Sequence, residues 1–255
     1  MQSVVVVLGA WALFGGAHVA LATRRTRGAL VARLGERGFA WLFVAVSSLL
    51  FAALTASYAG VREQGPLGLG LAAVPWVRSL MAAASILGFA FMAGALAPRG
   101  YWDSPAAILQ QGVRPARGLE RITRHPFFTG LVLVMGAHAL LATRLAGTVF
   151  FAGFVLLVVL GTAHQASKLR ARKGEPFARY LESTSAIPLA AIARGRQPLA
   201  LGEQPWLFLG LGALVGFAVQ AGHGGILAWH GAPFIGAVVG GSLVIGAISS
   251  RRQRT

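Results

Sequence analysis

The fold class this sequence predicts is all-α: a polytopic transmembrane bundle of about seven helices. Three observations predict it. Of its 255 residues, 56% are hydrophobic and only 12% charged, against about 25% charged in a soluble domain. The mean hydropathy is +0.67. The apolar residues gather into seven runs long enough, or nearly so, to cross ~30 Å of hydrocarbon as helices. Finally, the arginines fall in clusters between those runs, on alternate loops.

The runs lie at 3–23, 38–60, 80–97, 127–143, 145–164, 205–222 and 232–249. Several are rich in Gly and Ala, as transmembrane helices often are. Gly212 to Gly216 and Gly236 to Gly240 have the small-xxx-small spacing that lets helices approach closely. The first run ends in Ala20-Leu21-Ala22, which mimics a signal-peptidase site. No Lys or Arg precedes it and five arginines follow, so a retained helix is expected.

The charges set the topology. Arg24, Arg25, Arg27, Arg33 and Arg37 follow the first run. Arg99, Arg114, Arg117, Arg121 and Arg124 follow the third. Seven more, from Lys168 to Arg196, follow the fifth, and Arg251, Arg252 and Arg254 end the chain. A seven-helix chain thus has 20 of its 23 Lys and Arg on one side, and only Arg62, Arg78 and Arg144 on the other. The positive-inside rule then places the amino terminus outside and the carboxyl terminus in the cytoplasm. The net charge of +16 would suit nucleic acid only if it gathered on a soluble face. Divided among loops, it suits anionic lipid, so the lipid bilayer and not nucleic acid is the expected partner. Two loops are more than turns. Residues 99–124, with Trp102 and several prolines, are expected at the interface, and 174–193, with Phe177 and Tyr180, as an amphipathic segment.

There is no cysteine, which excludes disulfides, iron–sulfur clusters and thiolate-ligated haem or zinc. Ionisable groups at membrane depth are costly and so are functional candidates. His18 follows Gly15-Gly16-Ala17 late in the first run, and His138 follows Gly136-Ala137 well inside the fourth. Each is either a neutral imidazole hydrogen-bonded to a serine or carbonyl, or a ligand. The pair suggests a shared bis-histidine b-type haem (haem b). At 1.5 Å per residue, His18 falls ~8 Å and His138 ~17 Å from the basic boundary, so such a group would require tilted or displaced helices.

A second constellation is Arg121-Ile122-Thr123-Arg124-His125-Pro126-Phe127-Phe128-Thr129-Gly130. Pro126 fits the first turn of a helix. His125 at the cap, with Arg121 and Arg124 before it, makes either an anion or cofactor site or a juxtamembrane anchor on headgroups. His164 reads as interfacial beside Gln165, and His223 and His230 as loop residues near Trp229. No Walker loop, dinucleotide fingerprint or Ser-His-Asp spacing is present.

The chain resembles the NnrU family of bacterial membrane proteins. The residues that carry the likeness are His18, Arg27 and Leu34-Gly35-Glu36-Arg37-Gly38; Arg124-His125-Pro126 with Gly130; His138-Ala139-Leu140-Leu141-Ala142; Gly174 with Phe177, Ser185 and Pro188; and His230-Gly231-Ala232-Pro233. The likeness covers most of residues 5–235, as one transmembrane domain, with 236–255 as an added helix and basic tail. It implies a link to nitrite and nitric oxide metabolism. The plant 15-cis-zeta-carotene isomerases are similar to this family, and that likeness implies b-type haem held by His18 and His138. It implies a haem-dependent redox or isomerase reaction on a small or lipophilic substrate. The Arg124-His125-Pro126 and Gly174-to-Pro188 pattern is also similar to the isoprenylcysteine carboxyl methyltransferases. Those enzymes carry a Glu pair where this chain has Thr162–Lys168 without an acid, a departure that counts against S-adenosylmethionine chemistry. A non-catalytic accessory factor of respiratory nitrogen-oxide enzymes is the remaining class.

Overall fold

The computed structural model describes residues 1–97, 113–223, 226, 229 and 231–241. Arg99, Trp102, His230, the tail arginines and most of the stretch 236–255 lie outside the described residues. The described chain is helical: α1 (Gln2–Ala22), α2 (Arg24–Val61), α3 (Pro75–Ala95), α4 (Leu119–Ile122), α5 (Pro126–Leu141), α6 (Leu145–Lys173), α7 (Glu175–Ser183), α8 (Ala190–Ala193), α9 (Trp206–Ala221) and α10 (Gly231–Gly241). Among the described residues there is no strand, only an isolated antiparallel bridge between Leu67 and Arg144. Each of the seven expected runs holds an apolar helix. Four of them, α1, α2, α3 and α6, are long and apolar enough to cross a membrane. By contrast α5 and α9 have 16 residues each, about 24 Å at the helical rise, which is short of the hydrocarbon thickness.

Two boundaries differ from those read from sequence, each for a local reason. The arginine-rich stretch after α1 is helix, not loop. The Thr23 hydroxyl accepts from the Thr26 amide at 3.3 Å, which caps the new helix at once. Its interruption comes at Gly35, where φ is 69° and ψ is 170°, a region essentially restricted to glycine. Arg27 spans the break: its guanidinium donates to Glu36 at 2.6 Å and lies 5.3 Å over the Phe39 ring. At the other boundary, α6 runs to Lys173, so His164 is inside a helix rather than at its end.

The chain separates into two compact units. The first holds Met1–Gly70, Ala142–Gly153 and the described residues from Gly222 onward. Here α1 packs on α2. Tyr58 stacks on Phe150 at 4.1 Å, and the Trp11 indole donates to the Phe150 carbonyl at 3.1 Å. Gly153 leaves room for that indole, since a Cβ there would strike it. One end of this unit is sewn together by backbone. The Gly68 amide donates to Thr143 and the Leu145 amide to Pro66, both at 2.9 Å, and Arg144 donates to the Gly65 carbonyl at 3.1 Å. Ser3 lies against Gly65. The amino end of α1, the carboxyl end of α2 and the amino end of α6 therefore share one end. Arg62 caps α2 and Arg144 precedes α6, both at this end of the unit.

The second unit holds Leu71–Leu141 and Phe154–Ala221, with α5 and α9 packed on α3. Apolar burial does not drive helices together inside lipid, so close packing through small residues must. Gly88 of α3 and Gly130 of α5 meet backbone to backbone. A Cβ at Gly212 would lie 2.5 Å from the Phe89 carbonyl, and one at Gly216 would lie 3.1 Å from Ile86 Cα. The Gly212–Gly216 spacing is thus used in packing α9 on α3. Gly236 and Gly240 meet nothing within 4 Å among the described residues.

Candidate functional site

His18 sits near the end of α1, half-buried, with one face of α2 against it. Phe14, one turn earlier on α1, places its ring 5.7 Å away, and Phe43 of α2 lies at 4.9 Å. Its Nδ1 is 3.2 Å from Ser47 Oγ. The aromatic line continues from Phe43 to Phe39 at 6.1 Å and from Phe14 to Phe51 at 6.0 Å.

His138 lies inside α5, in the second unit, and is also half-buried. Its Nδ1 is 2.8 Å from the Val134 carbonyl, one turn back on the same helix. A carbonyl can only accept, so Nδ1–H donates and Nε2 is the lone-pair nitrogen of the ring. Both hydrogen bonds, to a serine and to a carbonyl, are the partners expected of a neutral membrane imidazole. They are equally the outer contacts that fix a ligating histidine.

Among the described residues no three His, Asp or Glu side chains come together to hold a metal ion. His18 belongs to the first unit and His138 to the second. Each ring holds Nδ1 against an oxygen, a donor chemistry compatible with a group that brings its own ligands.

The Arg121–Gly130 segment is fastened in the second unit. Pro126 opens α5, and the His125 carbonyl accepts from the Thr129 amide at 2.8 Å. The His125 ring packs edge-on against Phe128 at 6.4 Å, with Nδ1 shut off from solvent. The Arg124 guanidinium donates to Leu181 O at 2.7 Å, Thr184 O at 3.0 Å and Thr184 Oγ1 at 2.9 Å. Its own amide donates to Ser185 O at 2.7 Å, and the Leu189 amide returns to Ile122 O at 2.8 Å. Thr123, fully buried, pairs with Thr129 at 2.8 Å and donates to Ala186 O at 3.2 Å.

Arg121 points elsewhere. Its Nε and Nη2 grip the Glu203 carboxylate at 2.9 Å each, and Nη1 donates to Gln197 at 2.8 Å. The Gly118 amide also donates to Glu203 at 2.9 Å. Arg121's hydrogen bonds and then that amide hold the Glu203 carboxyl down at about 2, and the same contact raises Arg121 further. The two arginines expected to cradle an anion thus engage the chain's own acceptors. Ser47, Thr184 and Glu203 are the partners that sequence reasoning missed. Glu203 had one signal, as one of seven acids among 23 Lys and Arg.

The expected amphipathic segment begins with α7, where Phe177 is buried and stacks on Tyr180 at 5.7 Å.

Comparison with known proteins places these features. The family model described as NnrU protein matches residues 6–236. The 15-cis-zeta-carotene isomerase (chloroplastic) of Arabidopsis thaliana is 30% identical over 190 residues, 73% of this chain and 50% of that protein. The protein of that name from Zea mays is 27% identical over 198 residues, 76% of this chain and 52% of its own. The chain spans about half the length of these curated relatives. No solved structure matches it. With the family model spanning nearly all of the chain, and with His18, Gly35, His125 and His138 all inside the matched range, the chain belongs to the NnrU family.

Proposed function

We propose that this NnrU-family membrane protein binds a b-type haem through His18 and His138 and acts as an isomerase on a lipophilic substrate reaching it from the bilayer. One observation carries the reading. Two imidazoles carried by apolar helices each turn Nδ1 to an oxygen, Ser47 Oγ and Val134 O, an arrangement that suits Nε2 for an iron. The bound haem would supply a one-electron centre. The chain's residues orient the two rings and keep water from them: Phe14 and Phe43 wall His18, and the apolar turns of α5 flank His138. The relatives' names favour isomerisation over nitrogen-oxide chemistry as the reaction. Arg121 and Arg124 enter as fasteners of the 181–203 stretch, and His125 as a proposed contact for an anionic cofactor group.

The visible spectrum of the detergent-purified protein tests this, oxidised and then reduced with dithionite. We expect a sharp Soret band, with split α and β bands on reduction. His18→Ala and His138→Ala should each lose haem while the protein still inserts. Incubation with a cis-polyene, with isomers resolved by chromatography, tests the reaction. A featureless spectrum after expression with ample haem overturns the reading. Binding of S-adenosylmethionine would then favour a methyltransferase, and co-purification with a respiratory enzyme an accessory role.

A further inference from the structure

The two histidines are held in different ways. His138 is fixed by the backbone of its own helix, through Val134 O at 2.8 Å, a partner no substitution removes. His18 is fixed by one side chain of a neighbouring helix, Ser47 Oγ at 3.2 Å. Phe43 and Ser47 stand four residues apart, hence on one face of α2, as Phe14 and His18 do on α1. That face gives the imidazole an aromatic neighbour and a polar contact, a hydroxyl that can accept from Nδ1–H or donate to Nδ1.

We propose that Ser47 is the positioning residue for His18. Its hydroxyl accepts the Nδ1–H, sets that tautomer, and leaves Nε2 as the nitrogen offered to a haem iron. This rests on the haem reading above. A ligating imidazole that donates its other N–H is the more basic ligand and favours the oxidised metal.

The test compares wild type, Ser47→Ala and Ser47→Thr, each purified whole in detergent. Ser47→Ala should weaken haem retention roughly tenfold, the lower end of what losing such an outer contact does. It should also move the midpoint potential upward. Ser47→Thr, which keeps the hydroxyl, should restore both. If Ser47→Ala keeps wild-type haem affinity and potential, Ser47 has no such role. A second readout needs no haem: nitrogen-15 resonances of selectively labelled histidines in the haem-free chain, with His18 assigned by its absence in His18→Ala. Wild type should show His18 protonated at Nδ1 alone, and Ser47→Ala a mixture of tautomers. If wild type never takes up haem, the functional reading fails. Ser47's hold on the ring then stands or falls by the tautomer measurement.

Discussion

At the scale of single residues, the polar chemistry concentrates on a few acceptors. Arg124 fastens Leu181 and Thr184 with three donors in a fixed fork, a geometry an ammonium cannot reproduce. Arg124→Lys should therefore cost about 1.5–3 kcal/mol of stability, the worth of hydrogen bonds to a charged group. It should also speed amide exchange across 181–189 more than elsewhere in the second unit. Unchanged exchange there would show that the fork does not hold the stretch.

The Arg121–Glu203 pair makes a pH prediction. The folded carboxyl lies at about 2, below its ordinary 4.5. Its contribution is therefore complete above about 4.5 and disappears as pH falls from there through about 2. Glu203→Gln should lower the unfolding temperature at pH 6 and change it little near pH 2. An equal effect at both would break the assignment. Sequence did single out His18, His138 and the Arg121–Gly130 segment, because an imidazole in an apolar run is conspicuous. It could not find Ser47 or Thr184, since a hydroxyl in a helix or loop carries no sign of which distant residue it meets.

At the scale of elements, the apolar runs declare themselves through length and composition, and α1, α3, α5 and α9 start within five residues of the expected points. What hides is conformation that charge disguises. Residues 24–34 read as a basic loop because five arginines crowd 24–37, yet they are helical up to the glycine. Only the positive φ at Gly35 ends that helix, and a glycine in a chain of 34 glycines does not announce it. Gly35→Ala should cost about 1–3 kcal/mol, the strain of placing a Cβ in that region. It should also weaken the Arg27–Glu36 contact that spans the break. A variant as stable as the parent would mean the break moves freely along the helix. Gly35 has open space around a Cβ, so conformational strain rather than crowding is what the measurement reads.

At the scale of the whole molecule, sidedness ties the arginine pattern to the contacts. Within the first unit, the turn at 65–68 is bonded to 143–145 and lies against Ser3. Within the second, 118–124 is bonded to 181–203. A loop bonded to another through its backbone must share its side of the bilayer, because exposed backbone does not cross the hydrocarbon. The first set is poor in arginine and the second rich. The positive-inside rule then predicts the first outside and the second in the cytoplasm. A chain with no cysteine makes this directly measurable with single cysteines and a membrane-impermeant maleimide on intact spheroplasts. Gln64→Cys and Thr143→Cys, both at exposed positions, should label at once. Arg25→Cys and Arg172→Cys, also exposed, should label only after permeabilisation. The reverse pattern would invert the protein and put the end of α1 that carries His18 on the outer side. Gln64 and Thr143 labelling from opposite sides would contradict the backbone pairing itself.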